Sequence, residues 1–110
     1  SACVLVAQAD QPMAGAAIVF FRKNSTIARL YSLAVDTGLR GLGIGELLLA
    51  ACEAQALARK CLGLRLEVRT DNTAAQQLYL KRGYHSIGEL SDYYEDGAPA
   101  LRLEISLRSR

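Results

Sequence analysis

The sequence predicts an α/β (α+β) domain with a mixed, mostly antiparallel sheet and a βαβ crossover at its centre. Three observations carry that prediction. The first third consists of β-branched and apolar runs parted by short polar breaks, the pattern of an antiparallel ribbon. At Ile44 the periodicity changes to a long run of strong helix formers. Beyond it, short alternating strand patterns enclose one more helix, so strand, helix and strand follow one another through the middle of the chain.

Residues 3–9 and 16–23 are rich in Val, Ile and Phe, and Asp-Gln-Pro-Met-Ala-Gly at 10–15 supplies turn residues between them, which reads as a hairpin. A polar break at Asn24 and Ser25 precedes a third strand over 26–35. The helix over 44–60 repeats Leu47, Ala51, Ala54 and Ala58 along one face, and Gly63 closes the segment behind it. Leu64-Arg-Leu-Glu-Val-Arg69 alternates apolar and charged side chains, a strand with one dry and one polar face. Asp71 or Asn72 caps a second helix over 73–82, and Gly83 is placed to end it in a left-handed conformation. A strand over 84–90, a loop over 91–99 and the strictly alternating Leu101-Arg-Leu-Glu-Ile-Ser-Leu-Arg108 complete the order β-β-β-α-β-α-β-β.

At 110 residues, 51% of them apolar, the chain is read as a single domain over 1–110 with a modest core. The formal charge of +2 is spread along the sequence, which gives no case for a nucleic-acid surface. Cys3, Cys52 and Cys61 are odd in number and lack metal-ligand spacing, so neither a disulfide framework nor a metal site is expected, and a reducing, cytoplasmic location is. Gln8, Asp10 and Gln11 interrupt the apolar N-terminal patch before it reaches the length of a signal or a membrane span. Ser1 is not an initiator methionine and strand-like sequence begins at once, so the chain is expected to be truncated at its N-terminus.

The most informative stretch runs from Leu33 through Asp36 into Gly41, Gly43 and Gly45 and then into the first helix. A glycine-rich turn opening a helix is suited to an anion, because backbone N–H groups approach closely and the first helical turn adds unpaired donors and a positive dipole end. A dinucleotide fingerprint would need a third glycine where Glu46 stands, and no Gly-Lys-Ser or Gly-Lys-Thr follows to make a P-loop. Taken alone, the glycine run is equally consistent with an ordinary tight turn.

Arg40-x-x-Gly43-x-Gly45, followed by Asn72-x-x-Ala75-x-x-Leu78-Tyr79-x-x-x-Gly83-Tyr84, resembles the acetyl-coenzyme A site of the GNAT superfamily of N-acetyltransferases. Ala28-Arg-Leu-Tyr-Ser-Leu-Ala-Val35, Leu66-Glu-Val-Arg69 and Asp92-Tyr-Tyr94 are similar to RimI-type protein N-acetyltransferases, and to GNAT domains fused to a peptidase-like partner. The resemblance implies a GNAT fold lacking its usual N-terminal strand and two helices. It also implies acetyl-CoA as cosubstrate, no metal, and transfer to a primary amine, most simply a protein N-terminus, by direct attack in a ternary complex. The backbone of Arg40, Gly41, Leu42, Gly43, Ile44 and Gly45 would hold the pyrophosphate, with Arg40 adding charge. Leu33, Ala34 and Val35 would pair with the pantetheine, where a free N–H could receive the thioester oxyanion.

Asn72, Ala75 and Tyr79 share one face of the second helix. That stripe is weak core filling, which favours a ligand, although Asn72 also suits an N-cap. The resemblance makes Tyr79 the acid that protonates the leaving thiolate and Glu67 the base that relieves the amine of its proton. Glu67 reads equally well as half of a cross-strand ion pair, and Arg65 and Arg69 on its face oppose the raised pKa a base requires. Tyr31, Tyr93 and Tyr94 are the acceptor-binding candidates, the last two in an acidic loop with Asp92, Glu95 and Asp96 that also reads as a solvated hairpin tip. His85 and the cysteines read as structural. The alternatives are a domain that binds acetyl-CoA without turnover and an enzyme for a small-molecule amine, as monomer or homodimer.

Overall fold

A computed structural model describes residues 2–8, 13–36, 38 and 43–107. The elements follow the expected order: β1 (Ala2–Gln8), β2 (Met13–Phe20), β3 (Ile27–Val35), α1 (Ile44–Ala58), β4 (Gly63–Arg69), α2 (Thr73–Lys81), β5 (His85–Leu90) and β6 (Ala100–Ser106). They build one six-stranded sheet in the order β1-β2-β3-β4-β6-β5, antiparallel except for β3 against β4. That parallel pair is the βαβ crossover, with α1 as its connection. The helix contacts β1, β2, β3 and β4, and α2 lies alongside it. Leu49, Leu64, Leu66, Leu103 and Leu107 are the largest side chains fully enclosed in the core.

Two expectations are corrected. The segment over 10–15 is not all turn: Met13, Ala14 and Gly15 belong to β2, which begins at Met13 and ends at Phe20 instead of running from 16 to 23. That strand position has no room for a side chain, since a Cβ on Gly15 would stand 2.8 Å from the Ala34 carbonyl oxygen and 3.0 Å from Leu48 of α1. The second correction concerns α1. Its buried face is Ile44, Leu48, Leu49, Cys52, Glu53 and Ala56, while Leu47 is 67% exposed and Ala51, Ala54 and Ala58 face solvent. This helix is apolar nearly all round, so periodicity finds a face without saying which one is inside.

Lys60 ends α1 at a φ of 63°, with its N–H donating to Leu57 O at 2.9 Å and Cys61 N–H donating to Ala56 O at 2.9 Å. These are the paired bonds of a Schellman cap, made here with a lysine in the position glycine favours. Lys60→Gly is therefore expected to stabilise the domain by about 1 kcal/mol, read as a rise in Tm of about 4 °C or more. The second helix ends as expected, at Gly83 with φ 104°, and Tyr84 N–H donates to Tyr79 O at 3.0 Å.

Two irregularities open the sheet. Opposite β2, Leu30 pairs with Val19 and Ser32 with Ile18, so Tyr31 is an extra residue, a β-bulge. Before it Ala28 and Leu30 enter the core, and after it Leu33 and Val35 do. Along the other edge, β3 pairs with β4 only from Ile27 to Arg29 against Gly63 to Arg65. Beyond those pairs the two strands part.

Candidate active site

The parting of β3 and β4 makes a channel through the sheet. On the helix side lies a groove of about 490 Å³ between the start of α1 and the length of α2, bordered by Leu33, Val35, Gly43, Asn72, Ala75 and Tyr79. A cavity of about 290 Å³ fills the split itself, between Leu30 to Leu33 and Leu66 to Arg69. Leu33, Asn72, Ala75 and Tyr79 border both spaces. On the far side, Arg29, Tyr31, Glu67, Tyr93 and Tyr94 rim a third opening of about 460 Å³.

The groove starts at the N-terminal end of α1, which no described side chain caps. Gly43 is the N-cap of α1 at φ 79°, with no side chain capping the turn, and nothing lies within 4 Å of where its Cβ would be. The first helical N–H groups have no intrahelical acceptor, so they offer donors to a ligand. Gly43, Ile44 and Gly45 are thus brought to the groove together. Arg40, Gly41 and Leu42 lie outside the described residues. Glu46, in the same first turn, is held by Lys81 with Nζ 3.4 Å from Oε1.

Along α2, Asn72 is the N-cap, its Oδ1 accepting from Ala75 N–H at 3.1 Å, and it borders the groove at the same time. The N-cap reading of Asn72 is thus observed, and the cap stands at the edge of the groove. Tyr79 is 7% exposed and its ring meets that of Tyr84 edge-on at 5.7 Å. Burial pushes its phenol up to about 12, with Cys52 and Tyr94 adding to the rise, so Tyr79 carries its proton through the whole neutral range.

Behind Tyr79 is a buried carboxylate that sequence reasoning missed. Glu53, 6% exposed, accepts from Arg82 Nη2 at 2.5 Å and from the Tyr84 hydroxyl at 3.0 Å. Burial first, then the Glu53 charge, drives the Tyr84 phenol well above the ordinary tyrosine value. No sequence pattern marks this group, because its partners come from another helix and the turn that follows it.

Glu67 sits on the acceptor side, its side chain 5% exposed. Oε1 accepts from Arg29 Nη2 and stands 3.4 Å from the Tyr93 hydroxyl, and Oε2 accepts from Arg102 Nε at 2.8 Å. The arginines that meet it are not Arg65 and Arg69, its neighbours along the strand. Arg65 pairs with Glu104 at 2.7 Å, and Arg69 with Asp96 at 2.8 Å and Asp71 at 3.2 Å. A signal for this existed in the sequence: Arg-Leu-Glu occurs in both β4 and β6, and antiparallel pairing sets Arg65 opposite Glu104 and Glu67 opposite Arg102.

The loop after β5 is tied down and is more than a solvated tip. Arg69 bonds Asp96 and lies 5.1 Å from the Tyr94 ring centre, and the Tyr93 and Tyr94 rings meet edge-on at 4.9 Å. The Arg69 hydrogen bond holds the Asp96 carboxyl below the usual carboxylate range. Arg29 Nη2 also reaches the Tyr93 hydroxyl at 2.9 Å. Tyr31, on the bulge, is 67% exposed and meets Phe20 edge-on at 5.2 Å. Ala34 is exposed, and Leu33 and Val35 are half-buried against the groove. His85 is exposed, while Cys52 and Cys61 are buried and burial pushes the Cys61 thiol up. No helix among the described residues is long and apolar enough to cross a membrane.

A parallel pair split beyond Arg29, a groove running from Gly43 at the start of α1 to the Tyr79 phenol, and a second mouth across the sheet together define the site of a mixed α+β domain with an opening through its sheet. The chain belongs to the acetyltransferase (GNAT) family, whose match covers residues 1–84. It is 35% identical over 100 residues to an uncharacterised N-acetyltransferase of Methanocaldococcus jannaschii, covering 90% of this chain and 63% of that protein. It is 42% identical over 67 residues to the [ribosomal protein bS18]-alanine N-acetyltransferase of Haemophilus ducreyi, covering 61% of this chain and 46% of the relative. The chain thus spans less than two thirds of the length of these relatives. Among solved structures, the ribosomal-protein-S18-alanine N-acetyltransferase of Escherichia coli superposes with a TM-score of 0.87 at 27% identity, covering 99% of this chain and 71% of the other.

Proposed function

We propose that the chain forms the catalytic part of an N-acetyltransferase that carries the acetyl group of acetyl-CoA to a primary amine, with a protein N-terminus as the acceptor. The observation that supports this most directly is the shared lining of the two spaces that meet at Tyr79. A coenzyme laid along the groove has its phosphates at the start of α1 and its thioester beside that phenol, and an amine entering past Glu67 and Tyr93 reaches the same point from the other side.

In this reading the neutral amine nitrogen bonds to the thioester carbonyl carbon, and the oxyanion is met by backbone N–H in the open stretch of β3. As the C–S bond breaks, the Tyr79 hydroxyl passes its proton to the leaving sulfur, and the proton displaced from nitrogen departs on the Glu67 side, directly or through water. Arg40, Gly41 and Leu42 would complete the pyrophosphate cradle that Gly43, Ile44 and Gly45 begin. A protein acceptor is supported by the relatives named for ribosomal-protein alanine and N-alpha acetylation. A small-molecule amine is the second reading, favoured by a streptothricin acetyltransferase 38% identical over 64 residues.

Thiol release from acetyl-CoA, measured against N-terminal peptides, lysine peptides, polyamines and small amines, separates the two readings. Turnover is expected with N-terminal peptides, and coenzyme binding without thiol release from any amine would make the domain a sensor. Gly43→Glu is expected to abolish coenzyme binding in calorimetry, since it puts a carboxylate at the helix end and a side chain at φ 79°.

A further inference from the structure

Arg69 reaches both walls of the cavity in the split, and no step above uses it. It borders that cavity together with Asn72, Tyr79 and Tyr94. On one side its Nε donates to Asp71 Oδ1 at 3.2 Å, in the turn that leads into α2. On the other, Nη1 and Nη2 grip the two oxygens of Asp96 at 3.3 and 2.8 Å, and the guanidinium lies over the Tyr94 ring. The Asp96 carboxylate is itself built into the loop, since Oδ1 also accepts from Ala98 N–H at 3.0 Å. The backbone at Arg69 is fixed as well: its carbonyl accepts from Asn72 N–H at 3.0 Å and from Gln76 Nε2 at 2.9 Å. Two carboxylates and a ring around one side chain suit a planar fork of five donors, where a lysine would offer one point charge. An isolated exposed ion pair holds little, but a bidentate grip shared with a second carboxylate and a ring is a network.

We propose that Arg69 is a positioning residue that registers the acceptor loop, and Tyr94 with it, against the wall that α2 lends to the cavity. Asp71 stands one residue before the cap of α2, so the clasp refers the loop to the helix that carries Tyr79. Tyr93, the inner tyrosine of the pair, is held separately by Arg29. Arg69 therefore governs the outer part of the loop, where an acceptor peptide passes beyond its reactive amine, and it acts through Tyr94 without touching the reacting atoms. This inference rests on the acetyltransferase reading above, with a peptide as acceptor, and adds to it the residue that sets one substrate's path against the other's.

Steady-state kinetics with the N-terminal peptide that the wild type turns over best, beside calorimetry with coenzyme A, test it. Arg69→Met is expected to raise the peptide KM about tenfold, with kcat and the coenzyme Kd changed by about twofold or less. Asp96→Asn keeps an oxygen for Ala98 N–H and loses the charge that Arg69 grips, so it is expected to reproduce most of the defect, and the double variant to add little to either. Arg69→Lys is expected to recover only part of the loss. Should Arg69→Met fail to fold, Asp96→Asn decides between the same outcomes. A peptide KM within about twofold of wild type, a coenzyme affinity that falls in step with it, or complete rescue by lysine overturns the assignment and leaves the acetyltransferase reading standing. If the wild type turns over no peptide, the assignment falls together with the protein-acceptor reading.

Discussion

Replacing Tyr79 by phenylalanine is expected to lower kcat about a hundredfold, the usual worth of a placed general acid, with the coenzyme dissociation constant changed by about twofold or less. The split between the two quantities follows from the geometry. Tyr79 borders both the groove and the cavity in the split, so removing its hydroxyl leaves Gly43 untouched and the departing sulfur without a proton. Thiol-release kinetics beside calorimetry on the same protein check it, and an unchanged rate would remove Tyr79 from the chemistry. The raised phenol also has a linkage consequence. Because burial lifts Tyr79 to about 12, the folded state holds a proton that the unfolded chain gives up near 10. Its contribution to stability is complete below pH 10 and is lost as pH rises toward 12.

Glu53→Leu is the substitution expected to cost the fold most. It strips Arg82 and the Tyr84 hydroxyl of their common acceptor at once, and Arg82 already has one buried nitrogen, Nε, without a partner. Breaking one side of a buried pair costs about 3 kcal/mol. Arg82, 23% exposed at its side chain, recovers a little of that by turning to water. Thermal unfolding should show a loss in Tm of about 10 °C or more. Tyr84→Phe keeps the ring against Tyr79 and removes a single hydrogen bond, so it serves as the milder control, at about 1 kcal/mol.

The contrast between Tyr79 and Glu53 marks what the sequence makes legible. Element order came from local signals, the alternation of β4 and β6 and the cap residues Asn72 and Gly83, all within a few positions of the feature they define. The groove-facing stripe of α2 was equally local, since Asn72, Ala75 and Tyr79 need only helical spacing to share a face. The inner face of α1 was not, because Leu47 and Leu48 are equally apolar and the docking side depends on the sheet beneath, where Gly15 lies under Ile44 and Leu48. Glu53 depends wholly on where α2 ends. Glu67 stands between these cases, because its partner Arg102 follows from strand register while Arg29 requires the parallel pairing of β3.

The short β3–β4 seam also bears on how the domain comes apart. Among the described residues the strand ladder joining the ribbon β1-β2-β3 to the trio β4-β6-β5 runs only from Ile27 to Arg29, while each block is zipped internally over long antiparallel registers. The element bridging both is α1, which lies across β1, β2, β3 and β4. The two sheet blocks are thus candidate foldons, joined side by side at the short seam and tied from one face by α1.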